Sequence, residues 1–296
     1  METRKGWLLL AAAVLFWGVN WPLMKIGLDH IGPLWFAAIR VILGAIVLFM
    51  LLAVQGRISK PRRSEMPVLL SVGLVQVGTC IALLHSALLF LEAGRTAVLA
   101  YTIPIWAAPL AAFFLKERLS VRKFAGIGFG MAGVVALFHA HLADWDWEGV
   151  HPGQAMPLIS ALLWAGVIVH IRGHGWTRPH LSLLPWQLAI GAVVLTVAAF
   201  VFEGPPRFQF EPVLIAVLLF NGAIATAFAF WAYIGAARIL HAGSTALGSL
   251  AIPVVGLISS NWILGEPLTP SIVLGMALIG TGILLSSATK KAKSDQ

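Results

Sequence analysis

The segment AGRTAVLAYTIP at 93–104 returns as AGSTALGSLAIP at 242–253, 149 residues later. The same offset carries LKERLS, 115–120, onto LGEPLT, 264–269, and pairs Thr96 with Thr245, Pro104 with Pro253, Glu117 with Glu266, Gly126 with Gly275 and Gly133 with Gly282. A fainter echo sets LFWGVNWPLMK, 15–25, on LLWAGVIVHIR, 162–172, so that Trp17 falls on Trp164 and Lys25 on Arg172. A repeat of about half the chain predicts one folding unit used twice, over 1–145 and 146–296.

The medium is set by composition. Hydrophobic residues make up 59% of the 296 and charged ones 11%, against about a quarter charged in an ordinary soluble domain. Mean hydropathy is +0.90. Windows between charged, Gly or Pro-rich breaks predict helical spans near 6–28, 33–54, 67–90, 96–115, 121–140, 154–171, 181–202, 212–235, 243–264 and 270–287, each long enough or nearly so for about 30 Å of hydrocarbon. The expected fold is therefore all-α, ten transmembrane helices in one integral membrane domain. The basic start METRK resembles a signal peptide, but the apolar run continues past Asn20 without a convincing cleavage site, which predicts a retained first helix.

Charge predicts orientation. With the N-terminus in the cytoplasm, the inner segments hold 16 of the 20 Lys and Arg, including RISKPRR at 57–63, KERLSVRK at 116–123, Arg172, Arg178, Arg238 and KKAK at 290–293. The outer loops hold DWDWE at 144–148, Glu203, Glu211 and Glu266. This is the positive-inside asymmetry, and it places both termini in the cytoplasm. KERLSVRK has two lysines and two arginines where its repeat mate GEPLTPSI has neither. Five spans per unit is an odd number, so the second unit crosses in the opposite sense. Inverted repeats of this kind characterise secondary transporters, in which two similar halves exchange shapes around a midplane site.

With WGVNWPLMKIGL at 17–28, IRVILGAIVLF at 39–49 and the two blocks above, the chain resembles the drug/metabolite transporter superfamily of EamA type, most like its ten-helix amino-acid exporters. The resemblance runs end to end. It implies two inverted five-helix halves, a cavity lined by helices 1, 3, 4, 6, 8 and 9, helices 5 and 10 at the back, a location in the bacterial inner (plasma) membrane, and export from the cytoplasm. One departure is that Val167 and Val169 stand where the first unit has Asn20 and Pro22.

The candidate substrate residues begin on helix 1, where Trp17, Asn20, Trp21 and Met24 share one face by spacing. Either that face lines a substrate path, with Asn20 bonding a polar group, or Asn20 only joins helices. Further candidate linings are Gln76, Thr79 and His85, then Tyr101, Trp164 and Trp186, then Asn221, Phe228 and Trp231. Aromatic faces with a few amides suit neutral or zwitterionic small molecules, foremost neutral or aromatic amino acids. Pro22, Pro104 and Pro253 free the carbonyls of Gly18, Ala100 and Ser249 and are candidate hinges. Lys25 either pairs with Asp29 or marks the outer rim. Arg40, two turns into helix 2, must face protein or water; it either attracts a carboxylate or anchors packing.

Other classes find less support. The lone Cys80 excludes an internal disulfide and a cysteine metal cage. The +8 charge sits in loops beside membrane helices rather than on a nucleic-acid face. No GxxxxGK[ST] is present, so no ATP site or other cofactor is expected. Without a mid-membrane acid, facilitated movement is expected, with proton-coupled export of a nucleoside, polyamine or toxic compound through a titrating His85 as the rival. His139, His141 and His151 are the nearest approach to a membrane-enzyme centre and fit an outer loop better; a channel has no positive support. The stripe Gly126, Gly130, Gly133 predicts close packing inside a monomer, with a weak homodimer as the alternative.

Overall fold

A computed structural model describes residues 2–117, 120–142, 152–174, 182–207, 211–240, 245 and 248–287. DWDWE, Arg178, His151 and KKAK lie outside them, and the side chains of His139 and His141 are likewise not described.

Among the described residues there is no strand, and ten helices follow one another: α1 (Glu2–Gly27), α2 (Pro33–Val54), α3 (Arg63–Ala87), α4 (Ala93–Phe114), α5 (Val121–Leu142), α6 (Met156–Gly173), α7 (Leu184–Phe202), α8 (Pro212–Ile239), α9 (Ala251–Leu264) and α10 (Pro270–Ser287). Seven are long and apolar enough to cross a membrane, and α5, α9 and α10 contribute shorter apolar stretches. In hydrocarbon every peptide group must find its partner within the chain, and a helix supplies that internally. Met50, Phe113, Phe202 and Trp262 stand exposed, a surface suited to lipid tails.

Three helices depart from regular α geometry. Residues Ser71–Thr79 of α3 and Phe220–Phe228 of α8 are π-helical, at the same 149-residue offset as the sequence repeat. The wider turn is closed by hydroxyls reaching five residues back: Thr79 donates to Leu74 O at 3.1 Å and Thr226 to Asn221 O at 2.7 Å. α4 breaks at Tyr101–Thr102, just ahead of Pro104. The Thr102 hydroxyl donates to Leu99 O at 2.7 Å and receives the Trp106 indole N–H at 3.1 Å. The corresponding Leu250 is the turn that precedes α9 and Pro253. α1, by contrast, runs unbroken through Pro22, and the Gly18 carbonyl that this proline frees receives a long 3.4 Å bond from the Ser259 hydroxyl.

Contacts between the two halves of the chain recur in matched pairs. α1 packs on α8 and α9, and α6 on α3 and α4. On α2, Gly44 lies against Thr226 and Gly222 O; on α7, Gly191 lies against Val77 and Gly73 O. A Cβ on Gly222 would meet Leu43 and Arg40 O, and one on Gly73 would meet Ile190 and Gln187 O, so Arg40 and Gln187 hold equivalent places. Where α5 meets α10, a Cβ on Gly133 would stand 2.8 Å from Gly275 O and one on Gly282 would stand 2.5 Å from Gly126 O. Such approaches admit only hydrogen and let the backbones touch.

Charged ends tie the helices together. The Glu266 carboxylate accepts from Ala93 N at 2.6 Å and Gly94 N at 2.9 Å, capping α4, and Glu203 accepts from Leu34 N at 2.7 Å and Trp35 N at 3.2 Å, capping α2. A carboxylate at a helix start meets unpaired N–H groups and the positive end of the dipole. At the other ends, Lys25 donates to Leu88 O and Leu91 O where α3 finishes, and Arg172 pairs with Glu117.

Candidate functional site

Polar side chains in lipid-spanning helices carry a desolvation cost and require partners. Several of them meet around one arginine. Arg40 of α2 is 8% exposed. Its Nη1 lies 3.0 Å from the thioether of Met24 on α1 and 3.4 Å from His85 Nε2 on α3, and its Nη2 donates to the Thr226 hydroxyl on α8 at 3.2 Å. His85 Nδ1 lies 2.8 Å from Ile81 O. A carbonyl only accepts, so Nδ1 carries the proton and Nε2 is the acceptor turned toward the guanidinium. The Phe36 ring lies 5.6 Å from the imidazole.

No ion pair to Arg40 is present among the described residues. Its Nε has no hydrogen-bond partner, and neither do the buried Oδ1 atoms of Asn20 and Asn221. A buried guanidinium facing a thioether, an imidazole and a hydroxyl keeps most of a desolvation cost of several kcal/mol, and buried polar atoms without partners are few in native proteins. These features make the surroundings of Arg40 the candidate site.

Of the other candidates, Trp21 packs in the same apolar cluster as Met24, and the rest are spread over α1, α3, α4, α6, α7 and α8. Trp17 donates to Ala225 O at 2.8 Å and packs 5.1 Å from Phe230 and 5.2 Å from Tyr233; Tyr101 joins the same aromatic layer. Trp21 and Met24 are buried with Tyr101 packed beside them. Asn221 is fully buried and its Nδ2 donates to Val217 O at 3.0 Å. Gln76 and Trp164 are half-buried on α3 and α6. Thr79 is exposed. Trp186 donates to Ser59 O at 3.1 Å with Phe49 edge-on at 5.0 Å, tying α7 to the α2–α3 loop. Phe228 and Trp231 pack 5.5 Å apart on an exposed face of α8. Thr226 was not singled out by the sequence, since its role rests on a contact 186 residues away in the chain. Among the described residues no three His, Cys, Asp or Glu side chains gather as for a metal.

The comparisons with known proteins concern the chain as a whole. The chain is 29% identical over 282 residues to the transporter YoaV of Bacillus subtilis, covering 95% of this chain and 96% of that one. It is 29% identical to a probable amino-acid metabolite efflux pump of Escherichia coli, over 96% and 95% of the two chains. A crystal structure at 19% identity superposes with a TM-score of 0.61 over 96% of this chain and 94% of that one, and so shares the fold. The model of the EamA-like transporter family matches twice, at residues 4–139 and 151–288. With nearly the whole chain matched in two consecutive copies, the protein belongs to the EamA-like transporter family.

Proposed function

We propose that this protein is a secondary exporter of small neutral or aromatic amino acids from the bacterial cytoplasm, working by alternating access between two inverted halves, 1–145 and 146–296, with both termini cytoplasmic. The observation that carries the reading is the buried polar cluster at Arg40, assembled from α1, α2 and α3 of the first half and α8 of the second. A site made jointly by two halves changes its access when one half moves against the other. Relatives named as amino-acid metabolite efflux pumps support the substrate class.

The moving parts follow from the irregular backbone. The break before Pro104, the turn before Pro253 and the two π segments interrupt regular α-helical bonding at matched positions, and such interruptions are where membrane helices bend. Trp17, Trp21 and Tyr101 form the apolar wall of the path. Transport is facilitative: both nitrogens of His85, the one titratable imidazole at the cluster, already have partners.

Uptake of a labelled panel into proteoliposomes tests this: neutral and aromatic amino acids, a nucleoside, a polyamine and a cationic drug, each with and without a pH gradient. Saturable amino-acid flux without a gradient is expected. Flux of only the nucleoside, polyamine or drug, or flux that requires the gradient, contradicts the reading.

A further inference from the structure

The polar cluster has a chemical signature more specific than polarity. Its unused donor and unused acceptors are of different kinds. Arg40 offers Nε–H with no acceptor, on the same edge of the guanidinium as Nη2, one of whose two N–H groups bonds the Thr226 hydroxyl. A guanidinium presents its N–H groups as a planar fork that matches a carboxylate, with two parallel bonds. The unused acceptors are the amide oxygens of Asn20 and Asn221, buried to 5% and 0% exposure.

The register of α1 against α8 brings those two residues to about one level along the helix pair. A Cβ on Gly6 would touch Ile239 and Leu240, while eleven residues later Trp17 bonds Ala225 O, so the two helices are antiparallel neighbours. Three residues further along α1 is Asn20, and about four residues back along α8 is Asn221. Each lies about one helical turn, roughly 6 Å, from the residue of its own helix that touches Arg40, Met24 and Thr226 respectively. A cationic donor and two neutral acceptors a turn apart complement a molecule carrying a carboxylate next to an ammonium.

The place related to this one by the repeat, itself made from both halves, has no such group. Asn20, Met24, Arg40, His85, Asn221 and Thr226 are matched by Val167, Ile171, Gln187, Ile234, Val72 and Val77. Five of these six are apolar and belong to one packed cluster. The arginine and the two orphaned amides are therefore additions to the frame, not requirements of it.

We infer that this is a zwitterion site: the Arg40 guanidinium takes the carboxylate of an α-amino acid, and the Asn20 and Asn221 amide oxygens take its ammonium. The inference rests on the amino-acid reading above and says which residues recognise the amino acid and by which groups. Arg40, His85 and Thr226 are each under 9% exposed, so the ligand enters when packed helices part and leaves the guanidinium buried again.

The test compares ligands on the unaltered protein and then alters the protein. Competition for flux in proteoliposomes is measured with each transported amino acid, its carboxamide, which lacks the carboxylate, and its deaminated acid, which lacks the ammonium. Both analogues are expected to compete at least tenfold more weakly than the parent. R40Q should lose amino-acid flux, R40K should retain a part of it, and N20L with N221L should lose selectivity for the parent over the deaminated acid. Amino-acid flux indifferent to amidation, or full flux in R40Q, overturns the site while the exporter reading stands. Transport confined to molecules without a carboxylate overturns the site and the substrate class together, leaving a transporter. Should R40Q fail to fold, the ligand comparison on the wild type decides alone.

Discussion

The cluster around Arg40 and the packing around Gln187 occupy equivalent places in the two halves of the chain, and they have opposite characters. Both are framed by equivalent glycines: a Cβ on Gly222 would stand 3.2 Å from Arg40 O and one on Gly73 would stand 3.2 Å from Gln187 O. Within the frame, Arg40 reaches a thioether, an imidazole and a hydroxyl, whereas Val72, Val77, Val167, Ile171 and Ile234 close the other side as an apolar core. The contrast separates two demands on one sequence. Packing geometry is shared by the halves and repeats; on the proposed reading, recognition of an asymmetric molecule needs a single site, so its residues break the repeat.

Exchanging the two positions breaks the comparison most severely. Arg40→Gln combined with Gln187→Arg should lose transport as fully as Arg40→Gln alone, and should also lower the melting temperature in detergent. The arginine would then sit among valines without an acceptor, an uncompensated burial of several kcal/mol. Next in size is the glycine seam between α5 and α10. In Gly282→Ala the new methyl would stand 2.5 Å from Gly126 O and 2.7 Å from Gly130 N, backbone atoms that cannot turn aside. A loss of about 1–3 kcal/mol is expected, read as a lower melting temperature.

Smaller effects sharpen the picture. Asn221→Ala should weaken amino-acid binding about tenfold, ~1.4 kcal/mol, with the fold retained, as measured by competition with unlabelled substrate. Glu266→Gln weakens the cap on Ala93 and Gly94 and should cost about 1 kcal/mol in thermal stability. Thr79→Ala alters an exposed hydroxyl that bonds only its own helix and should change flux and stability little, within ~0.5 kcal/mol.

Much of this was legible in the sequence, for reasons the bilayer supplies. Lipid forces each span to satisfy its own backbone, so apolar windows report helices directly, and the expected spans lie within a few residues of α1–α8 and α10. The start of α9 differs more: the apolar window opens at 243, while the continuous helix begins at Ala251, after the turn at Leu250. The offset linking AGRTAVLAYTIP to AGSTALGSLAIP also relates the two π segments, which no residue pattern announced. Thr79 and Thr226 close them with hydroxyl bonds that exist only once the helix has formed.

The candidate site was legible in parts. Arg40 stood out because a charge two turns into a span is costly, and Asn20 and Asn221 because amides there need partners. Their company did not stand out, since contacts such as Arg40 to Thr226 join distant segments and hydropathy is blind to which face meets which. Aromatic residues were hardest to sort. Trp17 sits in the layer beside the cluster, Trp186 ties a loop and Phe228 stands exposed, yet all three look alike in a run of apolar letters. Glu266 was read as a loop charge; its value as a cap on a helix 173 residues earlier depends wholly on the fold.

The most direct measurement is amino-acid flux into proteoliposomes by the wild type, Arg40→Gln and Gln187→Leu side by side, with melting temperatures to match folded protein. The account predicts saturable flux in the wild type, near-wild-type flux in Gln187→Leu, and a loss of at least a hundredfold in Arg40→Gln at similar stability. Equal losses in the two variants, or undiminished flux in Arg40→Gln, would contradict a single recognition site built on one side of a repeated frame.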